Sequence, residues 1–225
     1  MTDDRPLVDW PWIVEHLDDI AFRTGQHLWL ALVAVGAGFA ISFALSLWVR
    51  RSPRLYGPIT GLAGVLYTIP SLALFAALVP VTGLSILTAE IPLVLYTLLI
   101  LVRNIVAGFD AVPADVREAA DAMGMTRAER LRRIELPLAV PLIVTGLRLA
   151  TVSTIGLVMI VTLIGNNFGG LGLFIKEGIQ AFFPTKVYVG ALLSVGLAIV
   201  ADLALLQLER TLTPWARTRA ERATS

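Results

Sequence analysis

The sequence contains no cysteine, which excludes disulfide bonds, thiolate metal sites and cysteine nucleophiles. It also lacks any Gly-Lys pair, and therefore lacks the Gly-x-x-x-x-Gly-Lys-Ser/Thr loop that cradles nucleotide phosphates. Its two histidines, His16 and His27, have no carboxylate cluster nearby in the sequence, and we expect both to be exposed or interfacial. We therefore expect no catalytic residue, no cofactor and no metal site on this chain.

Charge is scarce too, since 16% of the 225 residues are charged, against about 25% in soluble domains. The first residues are acidic and lack the basic start of a cleavable signal peptide, so the first apolar stretch should remain in the mature chain. Apolar residues are abundant instead: 56% are hydrophobic and the mean hydropathy is +0.78. This is the composition of a membrane protein.

About 20 apolar residues are needed for a helix to cross roughly 30 Å of hydrocarbon. On that criterion we predict an all-α integral membrane protein with five transmembrane helices. The second and third are separated by the turn signal at 79–83, and no internal repeat is visible. The predicted spans are 28–49, 59–79, 87–107, 149–167 and 187–208.

Lysine and arginine are distributed unequally between the two sides that these spans define. If the connection at 108–148 is cytoplasmic, the inner side holds 14 of the 18 basic residues and the outer side four. Because cytoplasmic loops carry an excess of these residues, the N-terminus is predicted outside and the C-terminus in the cytoplasm. The divisions are then an outer N-terminal segment (1–23), a membrane domain (24–209) and a cytoplasmic tail (210–225).

A polar stretch, Arg117–Pro137, interrupts this apolar chain with the sequence REAADAMGMTRAERLRRIELP, here called the polar segment. Gly124 suits the left-handed residue that ends a helix, and Thr126 with Glu129 forms a capping box that starts another. Pro137 disfavours helix at the residue before it. The pattern predicts two short helices joined by a tight corner.

The physics alone leaves two interpretations of the polar segment. Its shallow alanine face and glycine corner suit docking into a groove on a partner protein. Its arginines, among them Arg127, Arg130 and Arg133, equally suit an amphipathic loop lying on anionic lipid headgroups.

The spacing of certain residues in the polar segment resembles the EAA motif of ABC-importer permeases. The matching residues are Glu118, Ala119, Ala120, Gly124, Ile134, Leu136 and Pro137. The stretches at 67–75, 102–108, 141–152 and 168–179 resemble the osmoprotectant branch of that family, the glycine betaine, carnitine and choline permeases. The resemblance extends over 24–209 and departs at Asn166, Asn167 and Phe168, where smaller residues are expected.

The resemblance implies a type I importer fold like that of methionine permeases, in a bacterial or archaeal inner membrane. Its partners would be cytoplasmic ATPase subunits that hold ATP and Mg²⁺, a second permease, an extracytoplasmic binding protein and lipid, without nucleic acid. The seven motif residues would dock into a cleft of the ATPase. Glu118 would make charged contacts there, both alanines would fit a tight groove, and Gly124 would supply the turn.

Polar side chains inside predicted spans are functional candidates, because charge is costly in lipid. Asp202 is predicted to form an ion pair with Arg148, with Arg103 as the other nearby candidate. Aromatic rings favour quaternary ammonium groups through cation–π attraction, and Tyr67, Phe75 and Tyr96 lie in suitable spans. Ordinary packing is the alternative interpretation for these three rings.

The function implied is ATP-driven import of osmoprotectants such as glycine betaine, carnitine or choline. The same machinery carrying an amino acid or a sulfonate is the first alternative. An ion-gradient-driven transporter is the second, but it would need coupling acids at mid-membrane and inverted repeats. Asp202 is the one acid in a suitable place, and it is off-centre.

Overall fold

The computed structural model describes residues 7–165 and 168–214, and every regular element within them is helical. Asn166, Asn167, the first six residues and the last eleven lie outside the described residues. The helices are α1 (Trp10–Glu15), α2 (Leu17–Arg51), α3 (Tyr56–Thr68), α4 (Ser71–Thr82), α5 (Ile86–Asp110), α6 (Ala114–Ala122), α7 (Arg127–Arg130), α8 (Leu136–Val161), α9 (Gly172–Gln180) and α10 (Pro184–Leu212). A 3₁₀ turn (Pro53–Leu55) precedes α3, and a π-helical turn (Leu131–Glu135) joins α7 to α8.

Four helical stretches among the described residues are long and apolar enough to cross a membrane. They are α2, α5, the continuous run Arg127–Val161, and α10. A fifth candidate is the pair formed by α3, with its preceding turn, and α4, whose axes are bent by 94°. The prediction of an all-helical chain with about five spans is confirmed.

The second predicted span, 59–79, is wrong as a single helix, because the chain breaks between α3 and α4. Pro70 has no N–H to donate, and its ring disfavours helix at the preceding residue. Ile69 is accordingly extended, with φ −66° and ψ 129°. The turn predicted at 79–83 does follow, since α4 ends at Thr82 and Gly83 has a positive φ of 64°.

The fourth predicted span, 149–167, begins too late, and the polar segment does not end in a second short helix. The run from Arg127 continues through the π-helical turn and α8 to Val161, so Pro137 and Pro141 lie inside it. In an unbroken α-helix the ring of Pro137 would collide with the carbonyl four residues before it. We attribute the wider π turn, which ends two residues before Pro137, to that conflict.

Helix α5 lies at the centre of the bundle, where it packs most extensively against α8 and α2. Half of its most apolar stretch is buried, against 17% for α10. One core cluster joins Leu30, Phe75, Leu93 and Ile155, and a second joins helices α5 and α8 around Phe109. The second cluster adjoins the end of the bundle that carries Arg50, Asp110 and the polar segment, here called the arginine-rich end.

Small residues allow α5 to approach its two neighbours closely, as in other membrane bundles. A Cβ added at Gly38 of α2 would lie 1.9 Å from Oγ1 of Thr97 on α5. A Cβ at Gly146 of α8 would lie 2.4 Å from Cβ of Asn104 on α5. These glycines therefore set the spacing between helices.

Gly146→Ala should destabilise the folded permease by about 1–3 kcal/mol, because α8 and α5 would have to separate to admit the methyl group. Thermal unfolding in detergent, followed by fluorescence-detected gel filtration, measures the effect. Gly156→Ala on the same helix is the matched control, since a Cβ there meets nothing within 4 Å. Equal melting temperatures for the two variants would contradict the packing account.

Candidate functional site

The corner of the polar segment is a complete helix-ending motif. Helix α6 ends before Gly124, whose φ is 75°. The N–H of Met125 donates to the carbonyl of Ala120 at 3.2 Å, and the N–H of Gly124 donates to that of Asp121 at 3.0 Å. These two bonds define a Schellman motif, which satisfies carbonyls that the helix end leaves free. Glycine is favoured at such a corner because its φ is positive.

The next helix begins with the capping box that the sequence predicts. The N–H of Glu129 donates to Oγ1 of Thr126 at 3.3 Å, and the N–H of Thr126 donates to Oε2 of Glu129 at 2.9 Å. The two helical pieces are therefore separated by only a few residues, each with a structural role. The result is a compact protrusion at the arginine-rich end.

The motif residues divide between the surface of this protrusion and its underside. Glu118, Ala119 and Gly124 are exposed, whereas Ala120 is fully buried against its own chain. Ile134, Leu136 and Pro137 are half-buried. The expectation that both alanines face a partner is therefore wrong for Ala120, whose small size serves packing within the chain.

The exposed face of the polar segment carries both charges and small residues, and it is here called the docking face after the role that the EAA resemblance implies for it. Its side chains are exposed and no other part of the described chain covers them, although Asp121 pairs with Arg130. Its members are Glu118, Ala119, Asp121, Ala122, Met123, Gly124, Thr126, Arg127, Ala128, Glu129, Arg132 and Arg133. Met123 is 66% exposed at the corner.

Arg148 and Asp202 lie together across α8 and α10. Nε of Arg148 is 2.8 Å from Oδ1 of Asp202, and Nη2 is 2.9 Å from Oδ2, a two-pronged geometry that suits guanidinium and carboxylate groups. Glu209 adds a longer contact, 3.8 Å from Nη1. Of the two partners considered for Asp202, the structure brings Arg148 rather than Arg103 to it.

The three aromatic candidates do not surround a common cavity. Phe75 is completely buried in the core. The rings of Tyr67 and Tyr96 meet edge to face at 5.8 Å, and the Tyr96 hydroxyl donates to the carbonyl of Ile69 at the break between α3 and α4. Packing accounts for Phe75, and hydrogen bonding at the break accounts for Tyr96. Tyr67, 43% exposed, is the one ring of the three with a large free surface.

The sequence did not indicate that three ionisable side chains, those of His27, Glu90 and Glu135, are buried. His27, expected to be exposed, is fully buried, and its Nε2 lies 3.0 Å from the carbonyl oxygen of Ile155. Glu90 is 8% exposed, and within the described part of the chain neither of its carboxylate oxygens has a hydrogen-bond partner. Glu135 is 1% exposed and lies among three arginines. An ionisable residue inside or beside an apolar run was the available signal for Glu90 and His27.

The geometry defines a class of fold, a multi-pass helical bundle with an exposed helix–corner–helix protrusion. Solved structures agree with this on fold. The chain superposes on the methionine ABC transporter MetNI in inward-facing conformations with a TM-score of 0.76 at 20% identity, covering 92% of this chain and 100% of that one. An amino acid ABC transporter gives a TM-score of 0.70 at 20% identity, covering 91% and 99%.

Residues 27–214 match the family described as the inner membrane component of binding-protein-dependent transport systems, and the chain belongs to that family. The osmoprotectant import permease protein OsmW of Salmonella typhimurium is 39% identical over 90% of this chain and 96% of its own. The glycine betaine/carnitine/choline permease protein OpuCB of Bacillus subtilis is 33% identical over 87% and 89%. The resemblance to ABC-importer permeases of the osmoprotectant branch, and the inner-membrane location that it implies, are thereby confirmed.

We expect Asp202→Arg to lower the thermal stability of the permease, because two guanidinium groups would then face each other. A hydrogen bond to a charged group contributes about 1.5–3 kcal/mol to stability, which sets the scale of the loss. Adding Arg148→Asp reverses the pair and should recover only part of the loss, since Glu209 would then face a carboxylate. Melting temperatures of the two single variants and the double variant measure the coupling. A double variant no more stable than the worse single one would show that the pair does not stabilise the bundle.

Proposed function

We propose that this permease carries osmoprotectants of the quaternary ammonium class, such as glycine betaine, carnitine or choline. The observation that carries the proposal is its identity of 33–39% with permeases of those substrates over most of both chains. Methionine and amino acid transporters share the fold at 20% identity, which gives the amino acid alternative no comparable support. Membership of a family of binding-protein-dependent transport components gives the ion-gradient alternative no support.

ATP and Mg²⁺ belong, in this proposal, to separate ATPase subunits, and the permease itself hydrolyses nothing. The docking face is the surface that meets the ATPase. Its exposure on an otherwise apolar bundle supports this role, as does its mixture of charge with small residues at a tight corner. Ile134, Leu136 and Pro137 would act from beneath, by setting the direction in which α8 leaves the protrusion.

The arginine-rich end faces the cytoplasm in this proposal, with the N-terminus outside. The excess of lysine and arginine on that side supports the orientation. An extracytoplasmic binding protein would then deliver the solute to the opposite end. A second permease, of the same or a related sequence, completes the pathway, because five spans are few for enclosing a polar solute.

Uptake into sealed vesicles tests the function directly. Vesicles that contain the permease with its ATPase and binding protein should accumulate radiolabelled glycine betaine when ATP is supplied inside and no ion gradient is present. Vesicles with an imposed proton or sodium gradient but no ATP should not. Uptake that follows the gradient instead would exclude the ABC mechanism, and ATP-driven uptake of methionine but not of quaternary ammonium solutes would exclude the proposed cargo.

Gly124→Asp should leave the importer assembled in the membrane but lower ATP-driven uptake at least tenfold. Asp tolerates a positive φ better than most residues, so the corner should persist while a carboxylate projects from the docking face. Gly25→Asp is the control, because it places the same side chain in open space at the opposite end of the bundle. Normal uptake by Gly124→Asp would exclude this corner from the ATPase contact.

A further inference from the structure

A buried carboxylate lies beneath the docking face and takes no part in it. Glu135 ends the π-helical turn, and its side chain is 2% exposed. Removing a carboxylate charge from water is unfavourable unless opposite charges compensate for it. Three arginines do so, and each comes from a different helix: Arg50 from α2, Arg117 from α6 and Arg130 from α7.

The three arginines approach the carboxylate differently. The guanidinium of Arg50 donates to Oε2 of Glu135. Oε1 lies 3.2 Å from Nε of Arg130 and 3.8 Å from Nε of Arg117, and it accepts no hydrogen bond from the described residues. One oxygen is therefore fixed to α2, while the other is shared between the two helices of the protrusion.

Each arginine is also held by a second group. The guanidinium of Arg50 lies 4.5 Å from the ring centroid of Phe109, in the last turn of α5. Arg117 donates to the carbonyl of Phe109 at 2.5 Å, and Arg130 pairs with Asp121 of α6. The cluster thus joins α2, α5, α6, α7 and the π-helical turn at one point.

The contact between Glu135 and α2 does not follow from closeness in the sequence. Arg50 and Glu135 are 85 residues apart in sequence, and α2 is far along the chain from the polar segment. Helix α7, by contrast, is continuous with α8. Among the described residues, the ion pair of Arg50 with Glu135 is the ionic link from the polar segment to α2.

We propose that Glu135 is a positioning residue for coupling, whose buried carboxylate ties the docking face to the inner end of α2. The inference rests on the proposed function, in which an ATPase displaces that face. Movement of the protrusion then reaches α2 through Glu135 as well as α8 through the helix itself. A cavity of about 550 Å³ beside the cluster, lined in part by Asp110 and by Arg117, leaves room for guanidinium groups to shift between partners.

The coupling ratio of the complete importer, as radiolabelled glycine betaine taken up per ATP hydrolysed, tests the proposal. Glu135→Gln should lower this ratio at least tenfold with the ATPase still bound and active, because a neutral amide cannot hold three guanidinium groups. Asp19→Asn is the matched control. It removes the carboxylate partner of Arg23 near the opposite end of α2 and leaves both Glu135 and the docking face intact, so its ratio should stay within twofold of the unaltered importer. An unchanged ratio for Glu135→Gln would overturn the proposal.

A distance measurement separates positioning from mere stability. Because the chain has no cysteine, Ser52→Cys and Ala122→Cys, both at exposed positions, place two spin labels on the end of α2 and the docking face. The label-to-label distance distribution, recorded in importers diluted with unlabelled permease, should broaden in Glu135→Gln. A distribution identical to that of the labelled parent would overturn the tie. This measurement requires no transport, so it stands apart from the uptake assay that tests the cargo.

Arg50 provides a second set of variants if Glu135→Gln does not reach the membrane. Arg50→Gln should lower the coupling ratio as strongly. Arg50→Lys should retain part of it, because lysine keeps the charge but loses the planar fork and its stacking on Phe109. Full coupling in Arg50→Gln would overturn the proposal equally.

Discussion

Backbone polar groups in an apolar surrounding must find their partners within the chain, and this constraint governs where the structure can bend. Helices satisfy it along their length, so the places where a helix ends need separate provision. At the break between α3 and α4 the hydroxyl of Tyr96 donates to the backbone carbonyl of Ile69. At the exposed Gly124 corner, where water is available, two backbone bonds of the Schellman motif still satisfy helix-end carbonyls. Both corners are therefore built features with defined geometry.

Close packing around α5 is a second constraint on the bundle. With little hydrophobic force to press helices together in lipid, contact depends on van der Waals fit, and small residues provide it. Gly38 and Gly146 bring α2 and α8 into close contact with α5. Because α5 ends beside Phe109 and the arginine cluster, the three helices converge where the polar segment begins. The membrane core and the protrusion thus meet at this end.

Local features of the sequence were sufficient for much of this arrangement. Hydropathy located the apolar helices, and the capping box at Thr126 and the corner at Gly124 depend only on neighbouring residues. The EAA spacing alone was enough to indicate the family. Proline was harder to interpret: Pro70 breaks a predicted span, whereas Pro137 lies within a helix that a π turn accommodates. The sequence does not show whether a proline will break a helix or be accommodated within it, because that depends on the space around the ring.

Buried polar groups could not be located from the sequence, since their partners are distant along the chain. His27 contacts the carbonyl of Ile155 from 128 residues away, and Glu135 meets Arg50 from 85. Glu135 also lies among arginines whose order in the sequence suggests a solvated surface. Only the fold reveals that the end of α2 lies beside Glu135 and that the carboxylate is buried there.

The polar segment is attached to the membrane helices in two unequal ways. Its second half is rigid with α8, because Arg127–Val161 is one helical run whose single irregularity is the π turn. Its first half, α6, follows α5 after the short connection 111–113, and the side chain of Arg117 adds a hydrogen bond to the carbonyl of Phe109. A force on the docking face would therefore turn α8 directly, and would move α2 only as far as the charge cluster holds. Glu135 belongs to both routes, because it lies in the helical run that leads to α8 and its carboxylate contacts Arg50 of α2. The π turn orients this side chain inward. A buried acid can therefore affect the docking face without being part of that face.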